Sequence, residues 1–329
     1  MGKIMDDADI RGMTNDVERV YNPAIDQAIE RRIRSGEVAP LDYYSRLIAP
    51  GFEGDGPKQA LLLMLVSDDE GVRDPGFRGR IHILFSGKEG TGKSELIDWL
   101  LNTPLSALYS VQFAGPSTSE AGLTANAAGK ELTLGKLHKA HGSVLCVDEI
   151  EHLKVKEYLR NAMERGWIQF GKGKFDQAIP CRVRVVAGCN EVAKLSKPLL
   201  SRFDFCFEFD EPSPHEATGI GRKVMERFHR GGCHDEEGLA ELEEYLRWVG
   251  NYEPHMAGED MAKAITIMER YFEGRPGRTG RWITSVLRIS RALAKLERRD
   301  IVPLDVFKAL GLKDEEFGRA ANIGRMAGW

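Results

Sequence analysis

Short apolar, β-branched runs alternate with helical spacings through the middle of the chain, and the alternation stops about two thirds of the way along. The runs Ile81–Phe85, Ala107–Phe113, Ser143–Val147, Arg182–Gly188 and Phe205–Phe209 have the length and composition of buried strands. Helical patterns separate them, which predicts a mainly parallel sheet with helices on its faces. After Pro212 and Pro214 the apolar positions recur only at helical spacing, as in Leu239, Leu242, Tyr245, Leu246 and Val249, a stripe that reads as core packing. Before Pro50 the chain is polar, with one helix expected over Asn22–Ser35 and ended near Gly36. The expected organisation is a polar extension over residues 1–40, an α/β core over 41–212, a small all-helical domain over 213–312 and a tail over 313–329.

Composition narrows the class without changing that layout. The chain has 329 residues, 42% of them hydrophobic and 29% charged, as in an ordinary folded protein. A net charge of -4 excludes a uniformly basic nucleic-acid coat but leaves room for a local basic strip. Five scattered cysteines suit free thiols in a reducing compartment. The N-terminus lacks a signal-peptide core, and the longest apolar run, Ala60–Val66, is too short to cross a bilayer. The expectation is an intracellular chain with no membrane contact. His229, Cys233 and His234 share a Gly-rich segment, but no second ligand pair stands at zinc spacing.

The chemistry concentrates after the first strand. Gly87-Lys88-Glu89-Gly90-Thr91-Gly92-Lys93-Ser94 fits the phosphate-loop pattern between a strand and a helix. Glycines there let consecutive backbone N–H groups and the helix N-terminus face an anion, with Glu95 in the first helical turn. Lys93 is expected to reach the β- and γ-phosphates and the Ser94 hydroxyl to ligate Mg²⁺. Val144-Leu145-Cys146-Val147 ends in Asp148 and Glu149, which suits a Mg²⁺-shell carboxylate followed by a base for the attacking water. The bland alternative is a strand with a solvated acidic turn. Asn190 follows the run Arg182–Gly188 and is either a turn residue or an amide that orients that water. Arg202, in Leu200-Ser201-Arg202-Phe203-Asp204, is either a structural partner of an Asp or an Arg offered to a neighbouring subunit's nucleotide. Arg281 opens an amphipathic helix of the second domain.

In this order these pieces resemble the AAA+ ATPases, and more narrowly the ATPase module of the minichromosome maintenance (MCM) helicases. The specific carriers are Ser45-Arg46-Leu47-Ile48-Ala49-Pro50, Lys58-Gln59-Ala60-Leu61-Leu62-Leu63 and Arg78-Gly79-Arg80-Ile81-His82-Ile83-Leu84. Ala121-Gly122-Leu123-Thr124-Ala125, Ala162-Met163-Glu164, the Arg202 segment and Arg281 to Ala294 extend the match over roughly Leu41 to Leu312. The resemblance implies an AAA+ P-loop core with a helical lid, ATP and Mg²⁺ as ligands, and a homohexameric ring. It implies cis roles for Lys93, Ser94, Asp148, Glu149 and Asn190. Arg202 would be the arginine finger and Arg281 a second sensor, both facing the neighbour's nucleotide.

The resemblance also implies DNA, single-stranded or forked, as the partner in replication. Gln169 to Phe175 reads as a β-hairpin with a basic, Gly-rich tip. In the family that hairpin enters the central channel, with Lys172 on the DNA-contacting lysine and Lys174 beside it. Without the resemblance it would be a surface hairpin with solubilising lysines. The shorter insertion Ala125 to Lys139 adds Lys130, Lys136 and Lys139 as weaker candidates. The phosphate loop carries Gly92 where the family has Ala or Ser, Glu191 stands where Pro is common, and Ile150-Glu151-His152 replaces Phe-Asp-Lys. Too few residues flank the match for the family's N-terminal barrel and zinc module or its C-terminal winged helix. A minimal version is therefore expected, either from a mobile element or from a partner-dependent complex with a separate loading or N-terminal-domain partner. The expected location is cytoplasmic or nucleoid-associated, and nuclear in a eukaryote. Two other classes carry the same motifs: a protein-remodelling or chelatase-like motor without DNA, and an ATP-binding regulatory ring subunit.

Overall fold

The computed structural model describes residues 23–69, 77–128, 131–211, 235–250, 252–273 and 280–313, with isolated positions between 218 and 229. Lys130, the 213–217 boundary, Cys233, His234 and the 314–329 tail lie outside the described residues. The central sheet has five strands: β1 (Ile83–Gly87), β2 (Gln112–Ala114), β5 (Val144–Val147), β8 (Arg184–Cys189) and β9 (Phe205–Phe209). Their order is β2-β5-β8-β1-β9. All four strand pairs are parallel. Strands β5 and β8 are buried throughout, as parallel strands covered on both faces should be.

Alternation along the strands sorts side chains into two cores. Ile83 and Phe85, Val144 and Cys146, Val186, Phe205 and Phe207 point to one face. Leu84, Leu145, Val147, Val185 and Ala187 point to the other. The first face packs on helix α3 (Asp55–Val66), whose residues from Ala60 to Val66 are all buried. The helical region shares this core through α6 (Glu236–Gly250) and α7 (Gly280–Leu296), so the two expected domains share one apolar cluster. The second face is covered by α5 (Lys156–Arg165) and two hairpins, β3–β4 (Ala125–Ala128, Glu131–Leu134) and β6–β7 (Trp167–Lys172, Phe175–Pro180).

Four of the five expected strands form within two residues of their predicted bounds. The Ala107–Phe113 run does not. Pro104 opens a helical turn over Leu105–Leu108, and Ser110 adopts a left-handed φ of 43°, so only Gln112–Ala114 pairs. The N-terminal helix α1 (Pro23–Arg34) docks rather than dangles. Ile29 is buried, and Arg32 pairs with Glu241 of α6 at 2.7 Å, where the Tyr43 hydroxyl of α2 (Pro40–Arg46) also donates.

Charged ties fix the helical region to the edge where the strands begin. Asp204 is fully buried and accepts from Arg288 at 2.9 and 2.8 Å and from the His82 backbone N–H. Arg78 lies 3.6 Å away. Asp68, at the end of α3, takes Arg291 at 3.0 Å and Lys295. Such pairs contribute orientation more than net stability, since desolvation offsets much of their attraction. Among the described residues, no helix is long and apolar enough to cross a membrane.

Candidate functional site

Parallel register brings three strand ends side by side. Strand β8 lies between β5 and β1, with Val147 opposite Ala187 and Phe85 opposite Gly188. The residues that follow, Asp148, Asn190 and the loop after Gly87, therefore emerge on neighbouring strands at the same edge, about 4.8 Å apart per strand. This gathers every residue expected to act on the chain's own nucleotide.

The loop is shaped by three glycines at positive φ. Gly87 has φ 143°, and a Cβ there would stand 2.3 Å from the Phe209 carbonyl oxygen. Gly90 and Gly92 are left-handed at 78° and 92°. Gly92 then caps α4 (Lys93–Asn102), and no side chain caps that helix. An uncapped helix N-terminus behind a Gly-rich loop is chemically suited to an anion. Lys93 is buried at the mouth of the helix, its ammonium donating to the carbonyls of Gly87 at 2.6 Å and Lys88 at 2.5 Å. Partial burial holds that ammonium below its usual pKa, with Asp148 and Glu151 pulling it back up. Thr91 closes the loop onto the Lys88 carbonyl at 2.8 Å, and Lys88 reaches Glu211 at 2.8 Å. Ser94 is exposed on the first turn, with Glu95 beside it.

Asp148 is half-buried, and its Oδ1 accepts the Glu149 N–H at 3.0 Å. Its carboxylate rests on Gly188 of β8, where an added Cβ would be 2.9 Å from Oδ1. Glu149 is held at φ 48°, ψ 53°, a region that costs a non-glycine residue about 1 kcal/mol or more. The next turn presents Glu151, buried, whose Oε1 accepts the Asn190 backbone N–H at 2.7 Å while Oε2 is buried without a partner. Glu151 thus joins the ends of β5 and β8, a link that the sequence offered only as a departure from the family pattern. The oxygen donors of Ser94 and Asp148 suit a hard divalent cation, and the loop and helix end suit a polyphosphate.

Arg202 and Arg281 stand elsewhere. Arg202 precedes β9, whose Phe205 pairs with Ile83, so it sits where the strands begin. The phosphate loop lies beyond Gly87, at least four residue rises or about 13 Å away along the strand. Arg202 is 6% exposed and bonds Glu164, the Pro198 carbonyl at 2.9 Å and Ser201 Oγ at 3.2 Å. Arg281 donates to the same Ser201 Oγ at 2.8 Å and lies 3.7 Å from Glu164. With Arg78 and Arg288 they line a cleft of about 220 Å³. The structural partner of Asp204 is therefore not Arg202 but Arg78 and Arg288. In the sequence Glu164 stands out only within the Ala162-Met163-Glu164 segment that carries the resemblance. An acid in the last turn of a helix, against the helix dipole, was the available signal.

The β6–β7 hairpin ends in a two-residue turn, with Lys172 paired to Phe175 and Gly173 at φ 60°, the type II′ arrangement. Lys172 and Lys174 are both exposed, and Lys174 lies 5.1 Å over the Phe175 ring. In the other insertion Lys139 is exposed, whereas Lys136 bonds the Phe113 carbonyl at 2.5 Å. No group of His, Cys, Asp and Glu able to hold a metal occurs among the described residues.

Comparison with known proteins matches residues 37–228 to a family described as the MCM P-loop domain. An MCM-type protein of Methanocaldococcus jannaschii, itself uncharacterised, is 29% identical over 304 residues, covering 78% of this chain and 39% of that protein. DNA replication licensing factor mcm-6 of Caenorhabditis briggsae is 25% identical over 305 residues, 80% of this chain and 37% of its own length. DNA replication licensing factor Mcm2 of Drosophila melanogaster is 27% identical over 329 residues, 85% and 36% respectively. The chain spans less than two fifths of the length of these relatives.

Proposed function

The chain belongs to the MCM family, and from that premise we propose that it is an ATP-hydrolysing subunit of a ring motor that moves along or unwinds DNA. The observation that carries this is the separation of its two half-sites. Lys93, Ser94, Asp148, Glu149 and Asn190 share the edge where the strands end, while Arg202 and Arg281 share a cleft where they begin. One chain cannot bring both to one nucleotide. A second copy, docked edge to cleft, can.

In the cis half, the turns of Gly87, Gly90 and Gly92 and the N-terminus of α4 bind the phosphates, and Lys93 exchanges its loop carbonyls for phosphate oxygens. A Mg²⁺ ion held by Ser94 and Asp148 would supply charge neutralisation at the phosphates. Glu149 accepts a proton from water, and Asn190, fixed through Glu151, orients that water. In the trans half, Arg202 and Arg281 neutralise charge developing on the neighbour's γ-phosphate. The Lys172 hairpin tips, repeated around a homohexamer, grip DNA phosphates without reading sequence. The relatives named as DNA replication licensing factors support DNA as the track.

The test is steady-state ATP hydrolysis across protein concentration, with and without single-stranded DNA. Turnover per chain that rises cooperatively with concentration and is stimulated by DNA is expected. Turnover per chain that is constant with concentration contradicts the split site, and concentration-dependent turnover indifferent to DNA points to a motor with another substrate.

A further inference from the structure

Glu164 occupies a place that helix electrostatics disfavour. It lies in the last turn of α5, just before the Gly166 cap, where the helix's partial negative charge opposes an acid. What offsets this is visible in its contacts. Oε2 accepts from Arg202 Nη2, and Oε1 lies 3.7 Å from Arg281 Nη2. Partial burial pushes the carboxyl up, but the Arg202 hydrogen bond and the charges of Arg202, Arg281 and Arg78 outweigh it and hold it below the usual value.

The other two guanidiniums of the cleft are already committed. Arg288 binds Asp204 twice, and Arg78 donates to the Met163 and Arg202 carbonyls beside Asp204. Arg202 and Arg281 have Glu164 as their shared carboxylate. Arg202 is nine-tenths buried, and its Nε has no hydrogen-bond partner. The Glu164 side chain remains 44% exposed at the cleft, so it can leave without a large rearrangement.

We propose that Glu164 is an internal stand-in for phosphate. In a lone subunit it fills the anion seat between Arg202 and Arg281, and a neighbouring copy's nucleotide displaces it on docking. This rests on the trans role assigned to the two arginines above. A carboxylate carries one charge and two oxygens, whereas a terminal phosphate offers more of both, so the exchange favours the phosphate once a neighbour delivers it. The device keeps the arginines ordered and charge-compensated outside the ring and sets a threshold concentration for productive assembly. The released carboxylate turns to solvent.

The experiment compares wild type, Glu164→Gln, Glu164→Ala and Arg202→Ala. ATP turnover is read across protein concentration, and assembly is followed by sedimentation with a non-hydrolysable ATP analogue. Loss of the competing pair lowers the concentration for half-maximal turnover and for assembly by about fivefold in both Glu164 variants, without lowering turnover at saturation. Using both variants separates charge removal from any effect of the new amide. An unchanged midpoint overturns the proposal. So does a reduced saturating turnover at the old midpoint, which would make Glu164 a support for Arg202 rather than its competitor. The Arg202→Ala variant tests the underlying trans role separately. Wild-type turnover there removes that role, whereas loss of turnover with no Glu164 effect removes the stand-in alone.

Discussion

Gly188→Ala probes the site with a single methyl group. Gly188 lies inside β8 and is not among the glycines with positive φ, so an alanine backbone fits there. The added Cβ meets Asp148 Oδ1 at 2.9 Å and Ile97 Cδ1 at 3.4 Å. Ordinary contact begins near 3.4 Å, so the carboxylate must retreat by about half an ångström while the isoleucine barely moves. A misplacement of about 1 Å in a reacting constellation can cost a hundredfold in rate, which puts this shift near tenfold. Stability falls by about 1–3 kcal/mol, the usual range for overpacking. The assay pairs saturating ATP turnover with fluorescent nucleotide binding and urea unfolding. Turnover should fall about tenfold, with nucleotide affinity within about threefold because Lys93 and the glycine turns are untouched. Wild-type turnover in a folded Gly188→Ala protein would refute the placement of Asp148 against β8 as a requirement of catalysis.

Other perturbations separate the remaining parts. Glu149→Gln should keep nucleotide binding and assembly while turnover drops by about a hundredfold or more, and retention of wild-type hydrolysis would remove Glu149 as the base. Lys172→Ala should weaken single-stranded DNA binding equally across sequences and flatten its salt dependence, whereas unchanged affinity would detach the hairpin from DNA. Asp204→Asn leaves Arg78 and Arg288 buried without their carboxylate and should destabilise by about 3–5 kcal/mol in urea unfolding; a loss below about 1 kcal/mol would contradict the buried tie. Acid acts on the same residue. Burial pushes the Asp204 carboxyl up, but Arg288, Arg78, Lys313 and the His82 N–H hold it below its ordinary value. Its contribution is therefore present above about pH 4 and lost as pH falls further, so the Asp204→Asn difference in stability should shrink in that window.

Much of this architecture was legible because local pattern and global role agree. Phe205–Phe209 alternates between the two cores and forms as read, and the two carboxylates end β5 as an apolar strand with an acidic tail predicts. The Gly-Lys-Gly-Lys tip between two apolar runs likewise gives its hairpin directly. The Ala107–Phe113 run misled because strand-like composition does not reveal that Pro104 starts a helical turn. What stayed hidden were relations between distant segments. Parallel pairing of β9 with β1 puts Arg202, which precedes its strand, at the opposite end of the strands from Lys93, which follows its own. Glu164 meets Arg202 across 38 residues, and Glu151 meets Asn190 across 39. No periodicity encodes such pairings. The docking of α1 through Arg32 on Glu241, 209 residues away, was hidden for the same reason.

The split between the two half-sites is tested most directly by mixing two variants that are each inactive. Lys93→Ala removes the phosphate seat but keeps Arg202, and Arg202→Ala does the reverse. Combined, they should recover measurable ATP turnover, because a ring with both kinds of chain contains interfaces with an intact loop facing an intact arginine. A mixture that co-assembles yet stays inactive, or an Arg202→Ala chain that hydrolyses ATP by itself, would contradict a site shared between subunits.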